Sequence, residues 1–175
     1  MEYRFIDAAH RQDINIKNEP FPLWGRMIPL FDGTAWTYEV LRFPAEDVSS
    51  MCFPDENYDY DAMSADCAFI GAYEGNVCVG LAVLQKAMFK YLYLYDLKVN
   101  QACRHQGVGR GLIAECLRIA RAQGHRGVYT IGQDNNLTAC LFYLGTGFRI
   151  GGLDTDVYKG TKQEGKADIY FYQDA

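Results

Sequence analysis

Residues 104–115 read RHQGVGRGLIAE, and this stretch decides the fold because its three glycines lie where a predicted strand gives way to a predicted helix. A helix N-terminus presents unpaired N–H groups and the positive end of the helix dipole, and glycine lets a ligand approach that backbone closely. Arg104 and Arg110 add positive charge beside the glycines. The stretch therefore predicts a site for a pyrophosphate group.

Two well-known phosphate-binding loops fit this stretch poorly. A Walker loop needs Gly-Lys followed by Ser or Thr, whereas here Gly109 is followed by Arg110 and Gly111. A Rossmann turn needs a glycine where this chain has Leu112, and the βαβ unit with an acidic partner is missing. Glycine spacing alone is therefore a weak indication of the class of protein.

Hydrophobic patterning around the stretch predicts a mixed α+β (α/β) domain. Period-two alternation predicts a strand over 91–99 with one shared face, formed by Tyr91, Tyr93, Tyr95, Leu97 and Val99. An apolar stripe at helical spacing predicts a helix over 107–123 that Gly124 closes. The other predicted elements are a helix over 136–144, a loop over 19–36 with three of the five prolines, and strands over 2–7, 37–43, 67–73, 77–85, 127–132, 148–158 and 167–172.

The bulk composition excludes several classes of protein. The 175 residues suit a single domain, 1–175, with 49% hydrophobic and 22% charged residues. A net charge of −5 argues against nucleic acid as a partner. The N-terminal stretch has no apolar run, so we expect a cytoplasmic protein with no membrane partner. The six cysteines lack a CxxC pair and the three histidines lack ligand spacing, so no metal is expected.

An acidic run, PDENYDYDAMSAD, occupies residues 54–66. Its alternating aspartates are reminiscent of a calcium loop, but Tyr60 and Asp66 stand where that loop needs Gly and Glu. Such a run is usually a solvated face. The alternative is a rim that attracts a polycationic substrate, and the sequence leaves both interpretations open.

A second motif follows the glycine stretch in a characteristic order. After R-x-x-G-x-G, a helix and a strand comes N-x-x-A-x-x-F-Y-x-x-x-G-F, formed by Asn136, Ala139, Phe142, Tyr143, Gly147 and Phe148. In this order the two motifs closely resemble the GNAT (GCN5-related N-acetyltransferase) family. The resemblance is dense from about 91 to 159 and extends to the streptothricin acetyltransferases within GNAT. It rests there on EPF and GRMIP (19–29), QDNNLTACLFY (133–143) and GFRIGGLDTDVYKG (147–160).

The resemblance implies a fold and an activity. The expected GNAT fold is a mixed, largely antiparallel sheet, splayed where acetyl-CoA enters and flanked by helices. The expected enzyme transfers acetyl from acetyl-CoA directly to the amine of a small cationic substrate, a streptothricin-like antibiotic being the leading candidate. Alternatives are an acetyltransferase for a polyamine, an amino acid or a protein N-terminus, and a non-catalytic acyl-CoA-binding sensor. Many GNAT proteins are dimers, so a homodimer is left open.

The resemblance also implies the roles of individual residues. Tyr143 matches the family tyrosine near the cofactor sulfur and is expected to act as general acid for the leaving thiolate. A strand N–H near Leu97 or Val99 is expected to stabilise the oxyanion. The residues expected to bind acetyl-CoA are Leu97, Lys98, Val99, Arg104, His105, Gln106, Gly107, Val108, Gly109, Arg110, Asn136, Ala139 and Tyr143.

The sequence departs from the streptothricin acetyltransferases at two positions. Those proteins commonly carry a glutamate where this chain has Tyr95, and a second glutamate where it has Gly132. An amine with a pKa of ~10.4 must lose a proton before it attacks a thioester, so some base is required. The expected base is Asp96, or a water molecule held by Tyr95.

Overall fold

A computed structural model of the protein describes residues 1–87 and 89–175. The strands are β1 (Glu2–Phe5), β2 (Phe21–Leu23), β3 (Gly25–Phe31), β4 (Trp36–Arg42), β5 (Ser49–Met51), β6 (Cys67–Glu74), β7 (Val77–Gln85), β8 (Tyr91–Val99), β9 (Gly127–Gln133), β10 (Arg149–Asp154) and β11 (Asp168–Asp174). The α-helices are α1 (Tyr60–Met63), α2 (Val108–Ala122) and α3 (Leu137–Gly145). Short 3₁₀ helices cover Ala8–Ile14, Ala45–Asp47 and Gln101–Cys103.

The chain packs as two compact units. The first comprises residues 1–19, 53–129 and 174–175, and the second comprises residues 20–52 and 130–173. Seven of the strands form a mixed, mostly antiparallel sheet, which confirms the predicted fold class. The single-domain organisation predicted from the chain length stays a prediction.

In the first unit, the strand order is β1-β6-β7-β8-β9, and every neighbouring pair is antiparallel except β8 and β9. Helix α2 packs on β6, β7 and β8 through the apolar stripe that the sequence predicts, and Gly124 follows it with φ +75°. The opposite face of these strands carries a separate apolar core, formed by Ile6, Ile14, Phe69, Tyr73, Leu81 and Val83. Strand β8 is therefore enclosed by apolar contacts over part of both faces.

In the second unit, β11 lies between β9 and β10, and α3 packs on β3 and β10. The prediction of a loop over 19–36 is wrong, because this stretch contains two strands. Strand β2 pairs with β5, and all seven residues of β3 pair with β4. The loop was predicted because three of the five prolines lie in this stretch. Pro22 and Pro29 lie in two-stranded sheets, where each strand has an edge on which a missing N–H breaks no ladder bond.

Candidate active site

The predicted pyrophosphate loop forms a concave array of backbone N–H groups at the start of α2. His105 and Gly107 both have positive φ, at 61° and 85°, and such left-handed residues turn successive N–H groups toward one side. Gly107 caps α2 without a side-chain hydrogen bond, and within the described residues the N–H groups of 105–110 have no acceptor. A Cβ atom at Gly107 would meet nothing within 4 Å, so the array is open. These residues fit a pyrophosphate.

Arg104 braces this loop with its side chain. Its Nε donates to the Val99 carbonyl oxygen at 3.0 Å, and its Nη2 lies 3.3 Å from Glu19 Oε2. The same Glu19 oxygen accepts the Gln101 N–H at 2.6 Å. Much of the Arg104 guanidinium is therefore engaged in holding the turn, while Arg110 remains exposed beside the open N–H groups.

Strand β8 carries a β-bulge at Tyr95. Val83 of β7 pairs with Asp96 and Leu84 pairs with Leu94, so Tyr95 is an extra residue without a partner on β7. Before the bulge, Leu94 shares the face of Leu84. After the bulge, Leu97 shares that same face, because it lies opposite Ala82, which alternates with Leu84 on β7.

The predicted single face of 91–99 is therefore wrong. Tyr91 and Tyr93 lie on one face of β8, and Leu97 and Val99 lie on the other. The bulge is the physical reason, since one extra residue reverses the alternation of everything that follows it. Its consequence is that Asp96 and Lys98, which an unbroken strand would turn toward α2, instead lie on the side of the core around Val83 and Leu81.

Strand β8 pairs with β9 near its start. Their parallel ladder joins Tyr91–Tyr93 to Gly127–Tyr129. Leu97 and Val99, which are predicted to bind acetyl-CoA, lie further along β8. Their role toward the cofactor stays a prediction.

Asp96 belongs to a buried cluster of charged and polar side chains. Its carboxylate accepts a hydrogen bond from the Tyr58 hydroxyl at 3.0 Å and lies 3.3 Å from Lys98 Nζ. Lys98 Nζ also donates to Glu56, and the Lys98 and Asp96 side chains are only 9% and 16% exposed. Tyr95 is 45% exposed beside the cluster, with its ring 6.1 Å from the Tyr58 ring.

The two carboxyl groups of this cluster differ in acidity. Burial raises the pKa of Asp96; Lys98 opposes this shift, and the negative charge of Glu56 adds to it. Burial also acts on Glu56, but hydrogen bonds from Lys98 and Asn18 lower the pKa of Glu56 overall. Environments that separate the pKa values of neighbouring groups are typical of acid–base sites. Of the two carboxyl groups, Asp96 is therefore the one whose surroundings favour the protonated form.

The remaining predicted residues lie together on α3 in the second unit. Asn136 caps this helix, since its Oδ1 accepts the Ala139 N–H at 3.2 Å. Tyr143 is 9% exposed, and its ring lies 5.5 Å from that of Phe148 and 5.4 Å from that of Phe171. The structure thus groups the predicted residues as one set in each unit, and their roles toward acetyl-CoA stay predictions.

The position of the second family glutamate is closed. A Cβ atom at Gly132 would lie 3.1 Å from Phe171 Cε2 and 3.6 Å from Cys140 Sγ. A glutamate side chain there would have to displace a fully buried aromatic ring. The loss of this carboxylate is therefore built into the packing of the second unit.

Sequence reasoning missed three residues of the site, which are Glu19, Glu56 and Tyr58. Glu19 stands in the EPF segment that carries part of the family resemblance, but the sequence does not indicate that its side chain holds the glycine loop. Glu56 and Tyr58 lie in the acidic run, where no sequence signal tells an inward carboxylate from an outward one. The outward ones include Asp61, which pairs with Arg11 at 2.7 Å, and Asp66, which lies 3.9 Å from Lys86.

Within residues 1–87 and 89–175, no group of three or more His, Cys, Asp or Glu side chains is arranged to hold a metal ion. None of the helices in that part of the chain combines the length and the apolar character needed to cross a membrane.

The sequence matches a known family and known relatives. The profile of the Acetyltransferase (GNAT) family matches residues 36–148. Streptothricin acetyltransferase A of Bacillus subtilis (strain 168) is 31% identical over 161 residues, which cover 92% of each chain.

Solved structures agree with the sequence matches. One is a protein from Bacillus anthracis str. Ames, assigned as a streptothricin acetyltransferase and solved with acetyl coenzyme A. It has a TM-score of 0.87 and 26% identity, with 99% of both chains covered. A nourseothricin acetyltransferase has the same fold, with a TM-score of 0.78 and 23% identity, over 99% of this chain and 97% of that one.

These matches agree with the two motifs found in the chain itself, which lie at the N–H array before α2 and on α3. The chain belongs to the GNAT family of acetyltransferases, has the GNAT fold, and is an acetyltransferase related to the streptothricin acetyltransferases.

Proposed function

We propose that this acetyltransferase uses acetyl-CoA to acetylate an amine of a small cationic substrate, with a streptothricin-like antibiotic as the leading acceptor. One observation supports a cationic acceptor above all. The cluster around Lys98 sets two carboxyl groups, Asp96 on β8 and Glu56 in the acidic run, against one ammonium. An excess of acidic over basic groups at a partly buried site favours a cation brought by the substrate.

The acceptor class also draws support from the relatives. Streptothricin acetyltransferase A of Bacillus subtilis and this chain match over 92% of both lengths, so the correspondence includes the acidic run 54–66 as well as the glycine loop. The closed position at Gly132 and the tyrosine at 95 favour a difference in how the acceptor is held. Polyamines, amino acids and protein N-termini are therefore the alternative acceptors to be tested.

In this proposal, the open loop before α2 binds the pyrophosphate, through the N–H groups of 105–110. Backbone groups of β8 at Leu97 and Val99 bind the pantetheine arm of acetyl-CoA by hydrogen bonds. Acetyl-CoA, when bound, supplies the acetyl thioester and a thiolate leaving group. Asn136 orients the start of α3, which carries Tyr143.

Proton transfer is assigned to two side chains. Asp96 takes the proton that the acceptor ammonium must lose before its nitrogen can attack, directly or through a water molecule held by Tyr95. Tyr143 gives its phenol proton to the leaving sulfur, and the second proton that the nitrogen loses as the amide forms restores the Tyr143 phenol through water. The products are an amide, a thiol and the one proton taken by Asp96, which passes to solvent. No covalent bond to the protein is needed in this route.

An acceptor screen tests the proposal. Thiol release from acetyl-CoA is measured with streptothricin, spermine, lysine and a peptide with a free N-terminus, for the wild type, for Tyr143→Phe and for Asp96→Asn. We expect streptothricin to be the fastest acceptor, and each variant to lose about 100-fold or more in kcat while acetyl-CoA binding persists. Tyr38→Phe, at an exposed tyrosine of β4, is the matched control and should retain activity.

The other results separate the alternatives. Faster turnover of spermine, lysine or the peptide would replace the antibiotic by that acceptor. Thermal stabilisation by acetyl-CoA without turnover of any acceptor would identify a non-catalytic acyl-CoA-binding sensor.

A further inference from the structure

The Lys98 side chain is buried between two carboxyl groups. The side chain is 9% exposed, and its ammonium meets Glu56, Asp96 at 3.3 Å and the Ile16 carbonyl oxygen at 3.4 Å. Burying an ammonium this far is costly unless partners compensate for the lost water. In this cluster the partners are two carboxyl groups, that of Asp96 two positions earlier on β8 and that of Glu56 in the acidic run.

The geometry makes Lys98 the link between those two carboxylates. Glu56 and Asp96 both contact the same Nζ atom, and Tyr58 donates to Asp96 from the acidic run. Glu56 is held independently, since Asn18 Nδ2 lies 3.0 Å from Glu56 Oε1. If the ammonium were removed, the largely buried Asp96 carboxylate would face the half-buried Glu56 carboxylate without a cation, and such pairs retain a shared proton up to higher pH.

We propose that Lys98 is a positioning residue for the acetyl transfer: its buried ammonium, held between Glu56 and Asp96, keeps the Asp96 carboxyl group ionised and therefore able to accept the proton of the acceptor amine. The inference rests on the proposed function, in which Asp96 is the base. It assigns the Lys98 side chain a role that is separate from the acetyl-CoA contact predicted for this residue.

The same geometry assigns Glu56 the opposite effect. Its negative charge favours the protonated form of Asp96, and it competes with Asp96 for the Lys98 ammonium. The titratable groups that face Asp96 are Lys98 on its own strand and Glu56 and Tyr58 on the acidic run, with Tyr95 beside Tyr58. Loss of the ammonium and loss of the Glu56 charge should therefore move the titration of Asp96 in opposite directions.

The test compares pH profiles of kcat/KM for Lys98→Met and Glu56→Gln, using whichever of streptothricin, spermine or lysine is the fastest acceptor. Lys98→Met should move the acid limb upward by about one pH unit, because removing a neighbouring opposite charge shifts a pKa by that order. Glu56→Gln should move the limb downward. Lys98→Arg should restore the wild-type limb, and Lys86→Met, at an exposed lysine, is the control for simple charge loss.

The outcomes separate the inference from the proposed function. Equal losses at every pH in Lys98→Met, or shifts of the same sign in both variants, would overturn the positioning role. If Lys98→Met does not fold, Glu56→Gln still decides, since the isosteric amide replaces a carboxylate that is 30% exposed, and an unshifted limb refutes the inference. An unchanged profile in Asp96→Asn would instead refute Asp96 as the base.

Discussion

Gly111 lies directly against the ring of Tyr3, so that a Cβ atom at position 111 would come within 2.0 Å of the tyrosine hydroxyl oxygen and 2.1 Å of Cζ. The third glycine of the decisive stretch is therefore a packing residue that lets α2 approach β1. The first glycine, Gly107, has open space instead. Two positions of one motif thus require glycine for different physical reasons, Gly111 for close packing and Gly107 for its positive φ.

Gly111→Ala should destabilise the protein by about 1 kcal/mol or less, because the half-buried Tyr3 ring must move aside while alanine favours the helix by about 1 kcal/mol. The measurement is the free energy of unfolding in denaturant. Tyr3→Leu removes the opposing ring, so the double variant should be less destabilised than the sum of the single variants. Strict additivity would show that the contact does not determine the need for glycine.

Gly107→Ala should weaken acetyl-CoA binding while the fold persists. The substitution meets no atom within 4 Å, but φ of +85° strains an L-residue by about 1–2 kcal/mol and perturbs the N–H array. The binding constant for acetyl-CoA is measured by calorimetry.

Gly75→Ala is the matched control for Gly107→Ala. Gly75 lies in the β6–β7 turn with φ of +59° and open space around it, so its backbone strain is of the same kind. Both variants should lose similar stability, and only Gly107→Ala should lose affinity. Equal affinity in the two would remove the loop from the cofactor site.

Glu19→Gln should lower acetyl-CoA affinity about threefold to tenfold with little change in kcat. The carboxylate joins the Gln101 N–H to the Arg104 guanidinium, and hydrogen bonds to charged groups contribute about 1.5–3 kcal/mol before solvent screening reduces them. KM for acetyl-CoA is the readout, and Glu39→Gln on the exposed β4 is the control. An unaltered KM would mean that the brace does not shape the loop.

Asp96→Asn should make the protein more stable near neutral pH although it removes activity. The pKa of Asp96 is raised in the fold, so the folded state holds this proton more tightly than the unfolded state. The wild type therefore loses stability as pH rises from the ordinary aspartate range through the folded pKa, and the amide has no such titration. The gain in melting temperature should fade below pH ~4. A variant less stable at every pH would mean that pairing with Lys98 outweighs burial.

Local patterns in the sequence predicted much of the fold. The apolar stripe of α2, the Gly75 turn and the alternating strands β6 and β7 depend on neighbours in the chain, and they appear within one or two residues of their predicted bounds. The N–H array was predictable for the same reason, because the glycines and the helix start that form it are contiguous.

Other features depend on partners that are distant in sequence. The pairing of β3 with β4 overrode the proline signal, and the bulge at Tyr95 is visible only in the register with β7. Glu19 and Glu56 became site residues through contacts across 82 and 42 positions of the chain. Periodicity and spacing carry no information about such contacts, so these parts of the site required coordinates.

The extra residue of β8 also sets a rule for insertions and deletions. Removing Tyr95 would leave every remaining side chain of the strand chemically intact, yet it would exchange the two sides after Leu94 and drive an aspartate and a lysine toward the apolar stripe of α2. Enzymes evolved or engineered from this scaffold should therefore tolerate many replacements between 91 and 99 but no change in the number of residues.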